Sequence, residues 1–122
     1  MLIVDDEPRF RSAARELLQA RGYTVAGEAG CSAAAVDAVA RLAPDAVMLD
    51  VGLGADSGFD VASTLIRSDP ALAVLLVSSD DYRSCGEQLR RSGARGFVLK
   101  SRLSATDLGR YWPAPAAPED PP

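Results

Sequence analysis

Apolar residues along the chain fall into five short runs, each closed by polar residues and each followed by a stretch with helical spacing. Leu2-Ile3-Val4 is the first run, closed by Asp5-Asp6-Glu7-Pro8, and it reads as a buried strand. Pro8 suits the first turn of a helix, where its missing N–H does no harm. Phe10, Ala13, Ala14, Leu17 and Leu18 then recur on one helical face, and Gly22 follows the last turn. Tyr23 to Glu28 predicts a second strand. Ser32 is the candidate cap of a second helix running through Arg41, with Val36, Val39 and Leu42 among its apolar residues and Pro44 beyond its end. The third strand, Ala46 to Leu49, runs straight into Asp50 and a loop from Val51 to Ala55. Ser57-Gly58 opens a third helix carrying Val61, Ala62, Leu65 and Ile66, closed by Asp69-Pro70. Leu72 to Val77 is the longest apolar run and reads as a central strand. Ser78-Ser79-Asp80-Asp81 leads into a fourth helix to Ser92 with a thin stripe of Tyr82, Cys85 and Leu89. Gly96 to Leu99 is the fifth strand, and Ser104 caps a short last helix reaching Tyr111. Five of the ten residues from Pro113 onward are proline, so residues 113–122 are expected to be an extended or disordered tail after a domain of residues 1–112.

Strand then helix, five times over, with strands that are apolar throughout, implies a parallel sheet covered on both faces. The predicted fold class is α/β: a flavodoxin-like, doubly wound sheet of five parallel strands in the order 2-1-3-4-5. In such sheets, sites form at the carboxyl ends of the strands. There the first strand delivers Asp5 and Asp6, the third Asp50, the fourth Ser78 and the fifth Lys100. Strands 1, 3, 4 and 5 are neighbours in that order, so these five side chains are expected to converge.

Three carboxylates at one rim repel one another and raise each other's pKa. A hard dication relieves this, and Mg²⁺ takes oxygen ligands while keeping several waters. A carboxylate beside a cation, an ammonium and a hydroxyl suits phosphoryl transfer, with Asp50 as nucleophile.

Composition narrows the chemistry further. The 122 residues, 48% hydrophobic and 25% charged, suit one compact domain. No apolar run approaches the roughly 18 residues of a membrane span, and acidic Asp5-Asp6-Glu7 follows too soon for a secretory signal. Met1 stands directly on the first run, and the expectation is that a few residues are missing upstream. Cys31 and Cys85 match no metal spacing and are expected to be thiols that serve as small packing residues, in a cytoplasmic protein. There is no histidine, which excludes histidine acid–base chemistry and His-ligated metals. Lys100 is the lone lysine against twelve arginines, which singles out a place for a compact ammonium rather than a planar fork. Net charge is −4, which disfavours unaided nucleic-acid binding. It is unevenly spread, at −7 over residues 1–82 and +5 over residues 83–110. The basic segment is either a docking face for a protein or a counterweight to the acidic half.

Taken together, Val4-Asp5-Asp6-Glu7-Pro8, Met48-Leu49-Asp50, Gly58, Val77-Ser78-Ser79 and Gly93-Ala94-Arg95-Gly96-Phe97-Val98-Leu99-Lys100 resemble the receiver domain of bacterial two-component response regulators. The likeness runs from residue 1 to about 110, and it is the ordered set rather than any one motif that is specific. It implies that Asp50 accepts a phosphoryl group from the phosphohistidine of a sensor histidine kinase or phosphotransfer protein, or from a small donor. It implies that Asp6, Asp50 and the Gly52 carbonyl ligate Mg²⁺, with Asp5 acting partly through water. Lys100 would contact the phosphoryl group, Ser78 would move toward it, and Phe97 and Ser79 would form the switch. Output would pass to a downstream protein through the 83–110 face, and a second copy of the chain is among the candidate partners. Turnover would be autocatalytic on Asp50, so the chain is not expected to be an enzyme. No membrane contact is expected.

The chain also departs from that family. Leu53-Gly54 stand where Met-Pro is frequent, and Ser101 replaces the proline that usually follows the lysine, so a cis peptide is not expected there. No DNA-binding domain is expected within this length. The Val-Ser-Ser strand end and the Lys-Ser junction resemble receivers that carry one, which leaves a remnant of a DNA-binding regulator as one alternative. A degenerate receiver that works without phosphate is another. A phosphate-cradling nucleotide binder is excluded by Asp5-Asp6-Glu7 after the first strand. A phosphatase of the haloacid dehalogenase type would need an acid where Gly52 stands. Each site residue also has a plain reading. Asp5 and Asp6 suit a helix N-terminus, Ser78 and Ser79 suit a loop, Phe97 suits the core, and Arg90, Arg91, Arg95 and Arg102 suit a solvated face.

Overall fold

The computed structural model describes residues 1–54, 56–80 and 86–112. Its main sheet has five strands: β1 (Leu2–Val4), β2 (Gly27–Ala29), β3 (Ala46–Asp50), β6 (Ala73–Ser78) and β7 (Gly96–Leu99). Every pairing is parallel, and the order is β2-β1-β3-β6-β7. This is the expected 2-1-3-4-5 order, renumbered because a two-stranded antiparallel hairpin, β4 (Gly52–Leu53) with β5 (Asp56–Ser57), stands between β3 and the next helix.

The central strands β1, β3 and β6 are buried along their length, yet alternate residues face different cores. Leu2, Val4, Val47, Leu49, Val74 and Leu76 pack toward α2 (Ser32–Leu42) and α3 (Gly58–Ser68). Ile3, Met48, Leu75 and Val77 pack on the other face with Ala14 and Leu18 of α1 (Pro8–Ala20). Two-sided burial explains why the sequence shows continuous apolar runs instead of alternation.

Several elements differ from their sequence reading. β2 is only Gly27–Ala29. Tyr23 and Val25 pack into the α1-side core instead of a ladder. The Met1 ammonium donates to the Thr24 carbonyl and the Ala26 N–H to that of Met1. The N-cap of α2 is Cys31, which is exposed rather than packed. Ser32 is the first helical residue, and its hydroxyl donates to Asp56 of the hairpin. Val36 is 44% exposed, and Ala13 also faces solvent. The described part of the fourth helix is α4 (Gly86–Ser92). Residues 81–85, with Tyr82 and Cys85, lie outside the described residues, as do Ala55 and the tail 113–122.

The largest difference is at the C-terminal end. In place of one last helix there are two 3₁₀ turns, Lys100–Ala105 and Leu108–Arg110. Ser104 lies inside the first turn instead of capping a helix. Thr106 is extended, and the Asp107 carboxylate accepts from the Gly109 N–H, starting a second turn. Such local side-chain bonds compete with helix propagation. Arg21 at the end of α1 donates to the Ser104 and Thr106 carbonyls, and Trp112 is buried edge-on to Tyr23, ring centroids 5.8 Å apart. These contacts hold the two short turns over the sheet without a continuous helix.

One glycine fixes where the site can form. A Cβ at Gly58 would overlap the Asp50 carbonyl oxygen and the Val51 Cα, while the Gly58 N–H bonds the Val51 carbonyl at 2.7 Å. The start of α3 is therefore pressed onto the end of β3. Gly58→Ala should lower the unfolding free energy by about 1–3 kcal/mol, as overpacking does. Urea denaturation checks this, and an unchanged midpoint would mean that the close approach is slack.

Candidate functional site

The site grows out of the strand ends. In the ladders Val4 pairs with Leu49, Asp50 with Val77 and Ser78 with Leu99. The residues that close β1, β3, β6 and β7 are thus lined up along one rim. Asp5 and Asp6 follow β1, Asp50 ends β3, Ser78 ends β6, and Lys100 follows β7.

Asp5 is fully buried and Asp50 is 7% exposed, while Asp6 lies open to solvent. One carboxylate oxygen from each of the three lies within 4.8 Å of the others. Lys100 enters this cluster with its Nζ 2.6 Å from Asp5 Oδ2 and 3.7 Å from Asp50 Oδ2. Asp5 Oδ1 accepts the Glu7 N–H at 2.8 Å, which locks the carboxylate as α1 begins. Asp5 Oδ2 has no hydrogen-bond partner among the described residues. The nearby ammonium meets its charge but not its lone pairs.

Burial pushes the Asp50 carboxyl up to about 6, helped by the Asp5 charge and, to a smaller extent, by Asp6. Lys100 and the Gly52 N–H, which bonds the carboxylate, oppose the rise. The rim therefore holds three acids against one ammonium, with one acid that releases its proton only near pH 6. This donor set fits a hard dication. All the side-chain ligands are oxygens, and a buried carboxylate oxygen is left without a hydrogen bond.

The remaining expected residues are placed as follows. Gly52 opens β4 beside Asp50. Ser78 is 3% exposed, and its hydroxyl accepts from the Asp80 N–H at 3.1 Å, leaving its own proton for another acceptor. Ser79 is exposed. Phe97 lies on the edge strand β7, half-buried against the α2–α3 core, away from the carboxylate cluster.

Two contacts were not foreseen from the sequence. The Lys100 ammonium lies over the Phe10 ring, 4.2 Å from its centroid. Phe10 reads from the sequence as part of the core stripe of α1, and its place at the start of the helix after Asp5-Asp6 is the signal for the second role. The other contact is the Ser32–Asp56 hydrogen bond, which ties the hairpin after Asp50 to the start of α2. Nothing in the sequence pattern showed that hairpin.

Residues 1–108 match the model of the response regulator receiver domain. The chain belongs to the response regulator receiver domain family. It is similar to the nitrate/nitrite response regulator protein NarP of Escherichia coli K12, 35% identical over 101 residues that make up 82% of this chain and 47% of that protein. It is also similar to the chemotaxis protein CheY of Thermotoga maritima, 29% identical over 82% of this chain and 83% of that one. Among solved structures, a LuxR-family two-component response regulator from an Aurantimonas species has a TM-score of 0.80 and 28% identity, over 85% of this chain and 75% of the other. The CheX–CheY–BeF3–Mg complex of Borrelia burgdorferi, at 23% identity and a TM-score of 0.81, shows the same fold over 89% of this chain and 83% of that one. The chain spans about half the length of the first curated relatives it matches, 48% and 47%. Among the described residues, no helix of this receiver is long and apolar enough to cross a membrane.

The raised Asp50 pKa gives a signed prediction for the metal-free protein. The folded state holds the Asp50 proton up to about pH 6, whereas the ordinary value is 3.8. Between those values the folded state binds more protons than the unfolded one, so stability falls as pH rises, and the loss is complete above the folded value. Asp50→Asn should therefore be about 1–3 kcal/mol more stable than the parent at pH 7.5 in a chelator and nearly equal to it at pH 3.5. Denaturation of both proteins across that range checks the sign. A variant less stable at pH 7.5 would contradict it.

Proposed function

We propose that this receiver is a phosphoacceptor switch, phosphorylated on Asp50 with Mg²⁺ and signalling through protein contacts in the cytoplasm. The observation that carries the reading is the strand-end rim at which Asp5, Asp6 and Lys100 gather about Asp50. An Asp50 carboxylate oxygen attacks phosphorus in the donor. The new O–P bond forms as the bond to the donor's leaving group breaks, and the leaving group departs with that electron pair. Water later attacks the acyl phosphate, returns the carboxylate and releases phosphate. Asp6, Asp50 and the Gly52 carbonyl, with Asp5 acting partly through water, would hold Mg²⁺, which when bound would neutralise charge on the phosphoryl oxygens. Lys100 stabilises the charge that develops on one oxygen, and the Ser78 hydroxyl donates to another. Both groups recycle unchanged, so turnover is autocatalytic and the chain is not an enzyme in its own right.

The phosphate would come from a sensor histidine kinase, a phosphotransfer protein or a small acyl phosphate. Ser78, Ser79 and Phe97 would carry the change toward residues 83–110, where a downstream protein or a second copy of the chain would dock. Support for that face is its charge, +5 within an acidic chain, with Arg90, Arg91, Arg95 and Arg102 all exposed. Arg90 and Arg91 also pair with Glu87 on α4.

A second reading makes the chain the receiver part of a DNA-binding regulator. It is favoured by the half-length coverage of relatives such as the DNA-binding transcriptional activator EvgA of Escherichia coli K12, 31% identical over 81% of this chain and 48% of that protein. In this reading the DNA contacts belong to another domain.

Incubation with a small acyl phosphate, with and without Mg²⁺, tests the first reading by intact mass. One acid-labile phosphoryl group should appear only with Mg²⁺ and be absent from Asp50→Asn. No adduct, or one that persists in Asp50→Asn, would refute phosphorylation at this site.

A further inference from the structure

Lys100 reaches the rim on a long flexible stem, and lysine ammoniums have no intrinsic directional fork to hold them in place. Here the Nζ is bounded on one side by Asp5 at 2.6 Å and Asp50 at 3.7 Å, and on another by the face of Phe10 at 4.2 Å. The Lys100 side chain is only 13% exposed. We propose that Phe10 is a positioning residue, whose ring face holds the Lys100 ammonium at the opening between Asp5 and Asp50 where a phosphoryl oxygen would arrive. This rests on the phosphoacceptor reading.

The physical case is that the two kinds of neighbour do different things. A carboxylate attracts the ammonium strongly but also competes with the incoming phosphoryl oxygens for its N–H groups. An aromatic face attracts a cation through its quadrupole and accepts no proton. The ammonium can therefore turn its N–H groups toward a phosphoryl oxygen without leaving the ring. The ring itself is anchored, because Phe10 is partly buried against the α1-side core and stands in the first turns of a thirteen-residue helix. Its packing and its electrostatic role can be separated. Leucine fills much of the same space without a π face, and tyrosine keeps the face.

The lone lysine makes the test direct, since selective labelling gives one side-chain signal. In the metal-free wild type, the Lys100 Hε resonances should be shifted upfield by the Phe10 ring current. The shift should persist in Phe10→Tyr and vanish in Phe10→Leu. Phosphorylation by a small acyl phosphate with Mg²⁺ should slow about threefold to tenfold in Phe10→Leu and stay near wild type in Phe10→Tyr. In a Lys100→Met background, Phe10→Leu should add no further loss. Melting curves of each variant keep folding separate from rate. An unshifted wild-type resonance, equal rates in all three proteins, or equal slowing by Tyr and Leu would overturn the proposal, and so would a further loss in the Lys100→Met background. If the wild type takes no phosphate at all, the phosphoacceptor reading falls and this role falls with it. That result is distinct from failure of Phe10 alone, in which the wild type labels normally.

Discussion

The structure turns on a charge imbalance at one rim of a rigid sheet. Three carboxylates and one ammonium meet there, with Asp50 between Asp5, Asp6 and the Lys100 ammonium 3.7 Å away. Moving a carboxylate out of water and beside another negative charge costs free energy. Here that cost is visible as a carboxyl raised to about 6. A single ammonium cannot offset three acids. The excess negative charge makes the rim a place that favours a cation.

Such a cluster would relax if its supports could move, and the fold prevents this. Each site residue ends or follows a strand paired in parallel register with its neighbour. The three central strands are buried on both faces, so the rim cannot spread without opening a core. Gly58 lets α3 press onto the end of β3, and the Asp5–Glu7 hydrogen bond fixes the first carboxylate as α1 begins. The hairpin that follows Asp50 is tied to α2 through Ser32 and Asp56. Phe10 brings the core of α1 to the ammonium. The same packing that stabilises the domain therefore sets the distances in the site.

Most of this frame could be read from residue order. An apolar run that stops at a polar residue marks a strand end, and four such stops in one topology bring Asp5, Asp6, Asp50, Ser78 and Lys100 to one rim. The lone lysine stood out because arginine is used everywhere else. What escaped depends on tertiary contacts. Tyr23 and Val25 look like strand residues but are drawn into the core beside α1, so β2 starts at Gly27. The segment after Lys100 has helical spacing. Even so, Thr106 is extended, Asp107 caps a new turn, and buried Trp112 and Arg21 hold the pieces. Phe10 has the spacing of a core residue, and its second face is visible only once Lys100 is placed over it.

The most direct measurement of the central claim is a carbon-detected titration of the Asp50 side-chain carboxyl in the metal-free protein, assigned by comparison with Asp50→Asn. Crowding and burial at the rim predict a midpoint near 6. The midpoint should move down on adding Mg²⁺, because a bound cation favours the ionised form. A midpoint near the ordinary value of 3.8, unmoved by Mg²⁺, would contradict the account.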